Sequence, residues 1–321
     1  MAAPSTAVCG ELPKLDEAPL KVSRARGYDA LDVKVYREDT DTVGIVFYRN
    51  FLTWFERGRE NAISTDFLAG LFEYNGDSFV VTRSEQSFRK PAFYGDELEV
   101  RTIPFADGPF RLHFDQSIWR KSDNTLLVAG FVEMVTVSRT FQLTKVPQPV
   151  HDLIYYFDDC KSNFTYCEKP GAKKRPIRRK PGAPSSLGKT TELDLVIHLA
   201  DTDFTGIAFH PNYYCWFERA RSDFLSKEIL ARAKTEFHAV PVVRSAKLAY
   251  KNGARPVEPL RITTTQDPKG EHSDFVVPIL QKLTRVSNDQ TLVEAVFEMC
   301  FVHDKERHLV KVPSIVRDAI A

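Results

Sequence analysis

The chain has 321 residues and a formal net charge of +1, which is too long for one small core, suits two domains of roughly 150 residues and gives no reason to expect a nucleic acid partner. No window approaches about eighteen apolar residues, so no membrane insertion is expected. Five cysteines (Cys9, Cys160, Cys167, Cys215 and Cys300), odd in number and irregular in spacing, argue against a disulfide scaffold and for a reducing, cytoplasmic compartment.

In chain order, residues 1 to about 27 read as a tail. LDVKVYRE alternates as a strand half facing a core does. In the segment that follows, Gly44 interrupts an apolar run and marks a tight turn. FLTWFERGRENAISTDFLAG predicts one helix ending near Gly70, with Phe51, Phe55, Gly58 and Ala62 on one face. The small residues Gly58 and Ala62 let a curved sheet close around it. The period then changes to two through SFVVTRSEQSFRK, DELEVRTIPF, RLHFDQSIWRK and TLLVAGFVEMVTVS, four strands separated by turn-like segments. A helix followed by an antiparallel sheet is an α+β arrangement.

KPGAKKRPIRRKPGAPSS follows, with seven basic residues from Lys169 to Lys180. Pro and Gly forbid regular structure there, leaving a solvated crossover or an anionic docking patch. The same order of elements then restarts with ELDLVIHLA and the helix NYYCWFERARSDFLSKEILARA. The expected division is a domain over 28–146, a linker over 147–190 and a second domain over 191–321.

The repeat is sharpest in DTDTVGIVFYRNFLTWFERGR from Asp39 and DTDFTGIAFHPNYYCWFERAR from Asp201. Twelve of the twenty-one positions are identical at an offset of 162. Asp41 and Asp203 each precede a glycine, Gly44 or Gly206, and then a helix. A carboxylate there can face the free N–H groups of a helix start, where developing negative charge is attracted. That combination points to acyl transfer to water, with the N–H groups holding an oxyanion while the carboxylate attacks or activates a water. An acid beside a helix start is also a common cap, and duplication copies a cap as faithfully as a catalyst. The histidines form no zinc spacing, and G-x-G-x-x-G, P-loop and G-x-S-x-G motifs are absent, so neither a metal nor a cofactor is expected.

The motif D-x-D-x-x-G-I-V-F-Y-x-N-F-x-x-W-F-E-x-x-R, followed by RKPAFYGDELEV, closely resembles the hotdog-fold 4-hydroxybenzoyl-CoA thioesterase family. The resemblance covers both halves but neither the tail nor the basic linker. It implies tandem hotdog domains, each a long helix wrapped by a curved antiparallel sheet, pairing as an internal pseudo-dimer with sites between the halves. The implied substrate is an acyl thioester of coenzyme A or acyl carrier protein. The family's catalytic aspartate falls on Asp41 and Asp203, and the ring beside the thioester carbonyl on Tyr48 and His210. Substrate contacts are expected from Gly44, Phe47, Asn50 and Phe51, and from Gly206, Phe209, Asn212 and Tyr213, with Asn50 and Asn212 starting and capping their helices. Glu56 and Glu218 are set to pair with Arg59 and Arg221 one turn on; a water-positioning role for Glu56 ranks behind Asp41. The glycine–aspartate pair Gly95–Asp96 has no evident counterpart in KNGARPVEPLRI, so the two sites need not be equal. A non-catalytic acyl-binding scaffold and a hotdog dehydratase, for which His210 alone offers an acid–base group, are the alternatives. The pseudo-dimer can be the whole molecule or pair again as a homo-oligomer.

Overall fold

The computed structural model describes residues 27–106, 108–155, 165–166, 188–270 and 273–320. The basic run Lys169–Lys180, the N-terminal tail, Cys9, Cys160, Cys167 and His272 lie outside the described residues. Strands β1 (Asp29–Lys34), β2 (Ser78–Phe88), β3 (Glu97–Ala106), β4 (Arg111–Arg120) and β5 (Thr125–Val137) make the first half of the sheet. A short β6 (Leu143–Thr144) pairs with the end of β5. The second half repeats this with β7 (Thr190–Val196), β8 (Ala239–Tyr250), β9 (Pro259–Gln266), β10 (Val277–Arg285), β11 (Thr291–His303) and a short β12 (Leu309–Val310).

All of these strands form one sheet in the order β1-β3-β4-β5-β2-β8-β11-β10-β9-β7. The halves join where β2 meets β8 antiparallel, from Arg83↔Ala249 to Ser87↔Ser245. Glu85 lies opposite Lys247 at the centre, two positions separated by the same 162 residues as the repeat. The pseudo-twofold axis therefore passes through this pair, and opposite charges face each other across it. The expected internal pseudo-dimer of two hotdog units is the architecture found.

Helix α1 (Tyr48–Ile63) lies against the first half of the sheet and α4 (Asn212–Leu225) against the second. Helix α1 buries Phe51, Leu52, Trp54, Phe55, Ala62 and Ile63; each large apolar side chain so buried contributes about 1.5–3 kcal/mol. Gly58 earns its place on that face, because an added Cβ would stand 2.8 Å from Thr102 Oγ1 and 3.0 Å from Val100 Cγ1. Gly58→Val is expected to cost about 1–3 kcal/mol through overpacking, read as a lower urea midpoint with an unchanged m-value.

The single helix predicted to reach Gly70 is in fact broken. Ser64, with φ 95°, separates α1 from α2 (Thr65–Gly70). Ser64 Oγ accepts from Phe67 N at 3.4 Å and so starts the second helix. Ser226, with φ 67°, breaks the repeat copy in the same way before α5 (Lys227–Phe237). Periodicity misses such a break because the apolar stripe runs on across it.

Within the stretch read as linker, Gln148–Tyr155 forms helix α3, whose Val150, Leu153 and Ile154 pack under the first half with Ile63, Phe67 and Phe114. Further on, the main-chain N–H groups of Thr165 and Tyr166 donate to Asp115, and the Tyr166 hydroxyl donates to Glu85 at 2.7 Å. The crossover thus touches the outer sheet face beside the pseudo-twofold axis. The last helix, α6 (Ser314–Ile320), buries Val316 and Ile320. Among the described residues no helix is long and apolar enough to cross a membrane.

Candidate active site

The local sequence dictates a turn before each central helix. Asp41 N donates to Ile45 O, and Gly44 N to Asp41 O at 2.9 Å. Gly44 takes φ 76° and Gly206 φ 79°, the left-handed region that a side chain resists. Each aspartate stabilises its own turn: Asp41 Oδ1 accepts from Val43 N at 2.8 Å, and Asp203 Oδ1 from Thr205 N at 2.8 Å. The other oxygen, Oδ2, has no hydrogen-bond partner among the described residues in either case. Neither aspartate is in an ion pair among them.

Each aspartate opens onto a cleft built by both halves. Asp203, Phe209, His210 and Tyr213 line a cavity of about 570 Å³ together with Glu56 of α1 and Tyr250. Asp41, Phe47, Tyr48 and Phe51 line one of about 750 Å³ together with Glu218 and Arg221 of α4. The Asp203 cleft adjoins an apolar cavity of about 480 Å³ that runs past Ile63, Leu68, Leu71 and Phe72. The two share Glu56, Phe79, Met134, Asp203, Thr205 and Phe209 as lining.

The helix starts differ from expectation. Phe47 and Pro211 are the N-caps, and neither gives a side-chain cap. Asn50 Nδ2 instead donates to Asp39 O, and Asn212 Nδ2 to Asp201 O, both at 3.0 Å. The asparagines brace the aspartate loop from beneath, and neither lines the cavities. Asn50 is the third residue of α1 and Asn212 the first of α4, so neither holds the N-cap position from which a side-chain oxygen reaches the free N–H groups. This leaves the N–H groups of Tyr48 and Arg49 without an acceptor among the described residues, and likewise those of His210 and Tyr213. Pro211 has no N–H to offer.

The two rings placed by the resemblance behave differently. His210 is 9% exposed, and burial, with the Arg59 and Arg49 charges, holds its pKa well below the ordinary value. The imidazole is therefore neutral. Its Nδ1 lies 3.3 Å from the Glu56 carboxylate and its Nε2 3.4 Å from Arg59 Nη2, which assigns the proton to Nδ1. Glu56 also pairs with Arg59, one turn on in the same helix. For Asp203, burial raises the pKa against the Thr205 hydrogen bonds, with the Glu56 charge adding to the rise.

In the other cleft the Tyr48 hydroxyl accepts from Arg221 Nη2 at 2.6 Å and donates to Tyr214 O at 2.7 Å. Burial, opposed by Arg221, pushes its pKa up to about 12. The ion pair expected between Glu218 and Arg221 does not form. Glu218 accepts from Ser222 at 2.8 Å, while Arg221 turns to Tyr48 and to Gln281 Oε1 at 2.8 Å. Tyr48 occupies in this half the place where His210 drew Glu56 into a cluster.

Several contributors escaped sequence reasoning. Gln116 and Gln281 hold Arg59 and Arg221 from inward-facing strand positions, each donating on to a helix carbonyl and to a threonine hydroxyl. Their only signal is a glutamine at an inward position of a strand. The lost glycine–aspartate pair has a counterpart after all. Glu258 accepts from Arg255 N and pairs with Arg285, as Asp96 accepts from Phe93 N and pairs with Arg120. Val257 takes φ 65° where Gly95 takes 86°, so the loop shape survives at the cost of backbone strain.

The buried neutral histidine gives a pH prediction. Its folded pKa is below its unfolded value of about 6.5, so the unfolded chain binds the extra proton as pH falls. Stability is full above pH of about 6.5 and declines below it, by at most about 1.4 kcal/mol per pH unit from this group. His210→Gln is expected to flatten that decline, measured as urea midpoints between pH 7 and pH 5.

One continuous sheet, whose two curved halves each wrap a helix and share paired clefts, defines a tandem hotdog fold. Residues 35–153 match the thioesterase-like superfamily. The 12:0-ACP thioesterase of Umbellularia californica superposes with a TM-score of 0.66 at 14% identity, over 86% of this chain and 94% of that one. An acyl-ACP thioesterase from Bacteroides thetaiotaomicron gives 0.61 at 12%, over 87% and 100%. At such identities the likeness is one of fold. In sequence, the acyl-CoA thioesterase YbgC of Helicobacter pylori is 37% identical over 70 residues, 22% of this chain and 50% of that protein. The chain thus spans about half the length of the curated relative it matches.

Proposed function

We propose that the protein hydrolyses an acyl thioester of coenzyme A or of acyl carrier protein, releasing a free acid and a thiol. The observation that carries this reading is the aspartate turn: one carboxylate oxygen is spent on the loop and the other is left unpartnered in a cleft that begins at open helix N–H groups. The thioester carbonyl accepts from those N–H groups, whose partial positive charge grows more favourable as the oxyanion forms. Asp41 or Asp203 then takes the proton of an attacking water as the thiolate leaves, or attacks the carbonyl carbon itself, expelling the thiolate to give an acyl–aspartate anhydride that a water then hydrolyses to the free acid. Burial that raises the Asp203 pKa favours proton acceptance, whereas the neutral His210 acts by hydrogen bonding, its Nδ1 facing Glu56.

The scaffold alternative has less support, since both aspartates lie beside cavities and outside ion pairs among the described residues. A dehydratase needs a His–Glu acid–base pair, and His210 and Glu56 do lie 3.3 Å apart; it has less support because Arg59 pairs with the same carboxylate and its guanidinium stands 3.4 Å from His210 Nε2, the nitrogen that would face a substrate. Cys215 and Cys300 are free thiols, in keeping with a cytoplasmic setting. The test is thiol release from short, long, branched and aromatic acyl-CoAs, repeated with carrier-protein thioesters. Release supports the reading; no release from either carrier overturns it.

A further inference from the structure

Outside the clefts, the end of helix α5 meets the end of β11. His238 closes α5 in a left-handed conformation, and Asp304 N donates to His238 O at 2.8 Å. The His238 and His303 rings stack at 5.3 Å with 26° between their planes. Asp304 Oδ1 stands 3.4 Å from His238 Nδ1 and 3.6 Å from His303 Nδ1. Yet that oxygen is buried and makes no hydrogen bond. Two nitrogens converge on one carboxylate oxygen at distances too long to bond it.

We propose that His238, His303 and Asp304 bind a divalent transition cation of the zinc type. Zinc bonds of about 2.0–2.1 Å to nitrogen and oxygen set tetrahedral ligand atoms about 3.3–3.4 Å apart, close to the two separations found. All three ligand atoms lie within 4.8 Å of one another, so small side-chain rotations complete the site. Imidazole and carboxylate suit zinc, and three protein ligands leave a fourth position for water. The His238 side chain is 54% exposed, which gives the ion an approach. His303 Nδ1 also accepts from Glu306 N at 3.1 Å and from Lys305 N at 3.3 Å; these hydrogen bonds are exchanged for the metal bond.

The first half closes the same corner with a cation of its own. Gly76, the counterpart of His238 at the repeat offset, is also left-handed, and the Arg139 guanidinium packs over it and donates to Phe72 O and Glu73 O. Asp304 stands where Arg139 stands in the matching hairpin, so in the second half the positive charge comes from solution. That hairpin carries Arg307, whose Nη2 donates to Val43 O at 2.7 Å, in the Asp41 turn. A bound ion therefore fixes one wall of the Asp41 cleft.

The test is calorimetric titration of the chelator-treated full chain with Zn²⁺, alongside Asp304→Asn and His238→Ala. One ion per chain is expected in the wild type, with affinity at least about tenfold lower in each variant. At a hundredfold excess over Kd the wild-type Tm is expected to rise by about 4 °C, with little change in the variants. The exposed His238 can be removed without threatening the fold, so a misfolded Asp304→Asn still leaves a decisive comparison. No binding by the wild type overturns the proposal, as does equal binding by wild type and His238→Ala.

Discussion

Replacing Asp41 and Asp203 together by asparagine is expected to slow thioester hydrolysis by at least about a thousandfold, if the carboxylates attack or accept the proton as proposed. Asparagine keeps the size of the side chain and its Oδ1 still accepts from Val43 N or Thr205 N, so the turn is preserved and the loss reports chemistry. Each single variant is expected to remove only its own cleft, because the two aspartates line separate cavities. Single variants should therefore keep turnover with the KM of the surviving site. The open N–H groups at the helix starts remain in all of them and sustain a residual rate. Thiol release by folded protein, with circular dichroism as the control, decides the matter. A double variant that keeps a tenth of wild-type activity would exclude the carboxylates from the chemical step.

Arg59→Met is expected to destabilise the protein by about 3–5 kcal/mol, the cost of breaking a buried pair and leaving its partner uncompensated. Arg59 is 2% exposed and serves Gln116, Glu56 and His210 at once. Its loss leaves the Glu56 carboxylate beside a neutral ring and Gln116 Oε1 without its donor. Arg221→Met, at the equivalent position, is expected to cost less, about 1–3 kcal/mol, because Arg221 hydrogen-bonds the neutral Gln281 and Tyr48 and stacks on Phe297, with no carboxylate partner among the described residues. Urea midpoints of the two variants measure the difference. Equal losses would show that the Glu56 contact adds nothing to the other hydrogen bonds.

The two halves show how far residues alone can carry the reading. The strands were legible because alternation with β-branched and aromatic residues has few other meanings. The glycine turn was legible because Gly44 and Gly206 sit where only a left-handed conformation closes the loop. The helix break at Ser64 was not, since a single residue changes backbone direction without changing the apolar pattern. The capping role expected of Asn50 and Asn212 does not form because each falls one to three residues past its N-cap, a boundary that composition does not mark. Glu258 went unnoticed as the counterpart of Asp96 because Val257 accepts a strained φ where glycine stood.

By itself the sequence determined the duplication, the wrapping of each helix by an antiparallel sheet, and the acid–glycine–helix order of each turn. The duplication is read by comparing the chain with itself, and the others depend on near neighbours in sequence, where periodicity and steric limits act directly. Only the tertiary structure decided which acid meets which helix. Joining β2 to β8 around Glu85 and Lys247 brings Glu56 to the cavity of Asp203 and Arg221 to the Tyr48 hydroxyl, residues 147 and 173 positions apart. It also decided that His210 is neutral and Tyr48 engaged, since desolvation and a guanidinium from the other half exist only once the halves have closed.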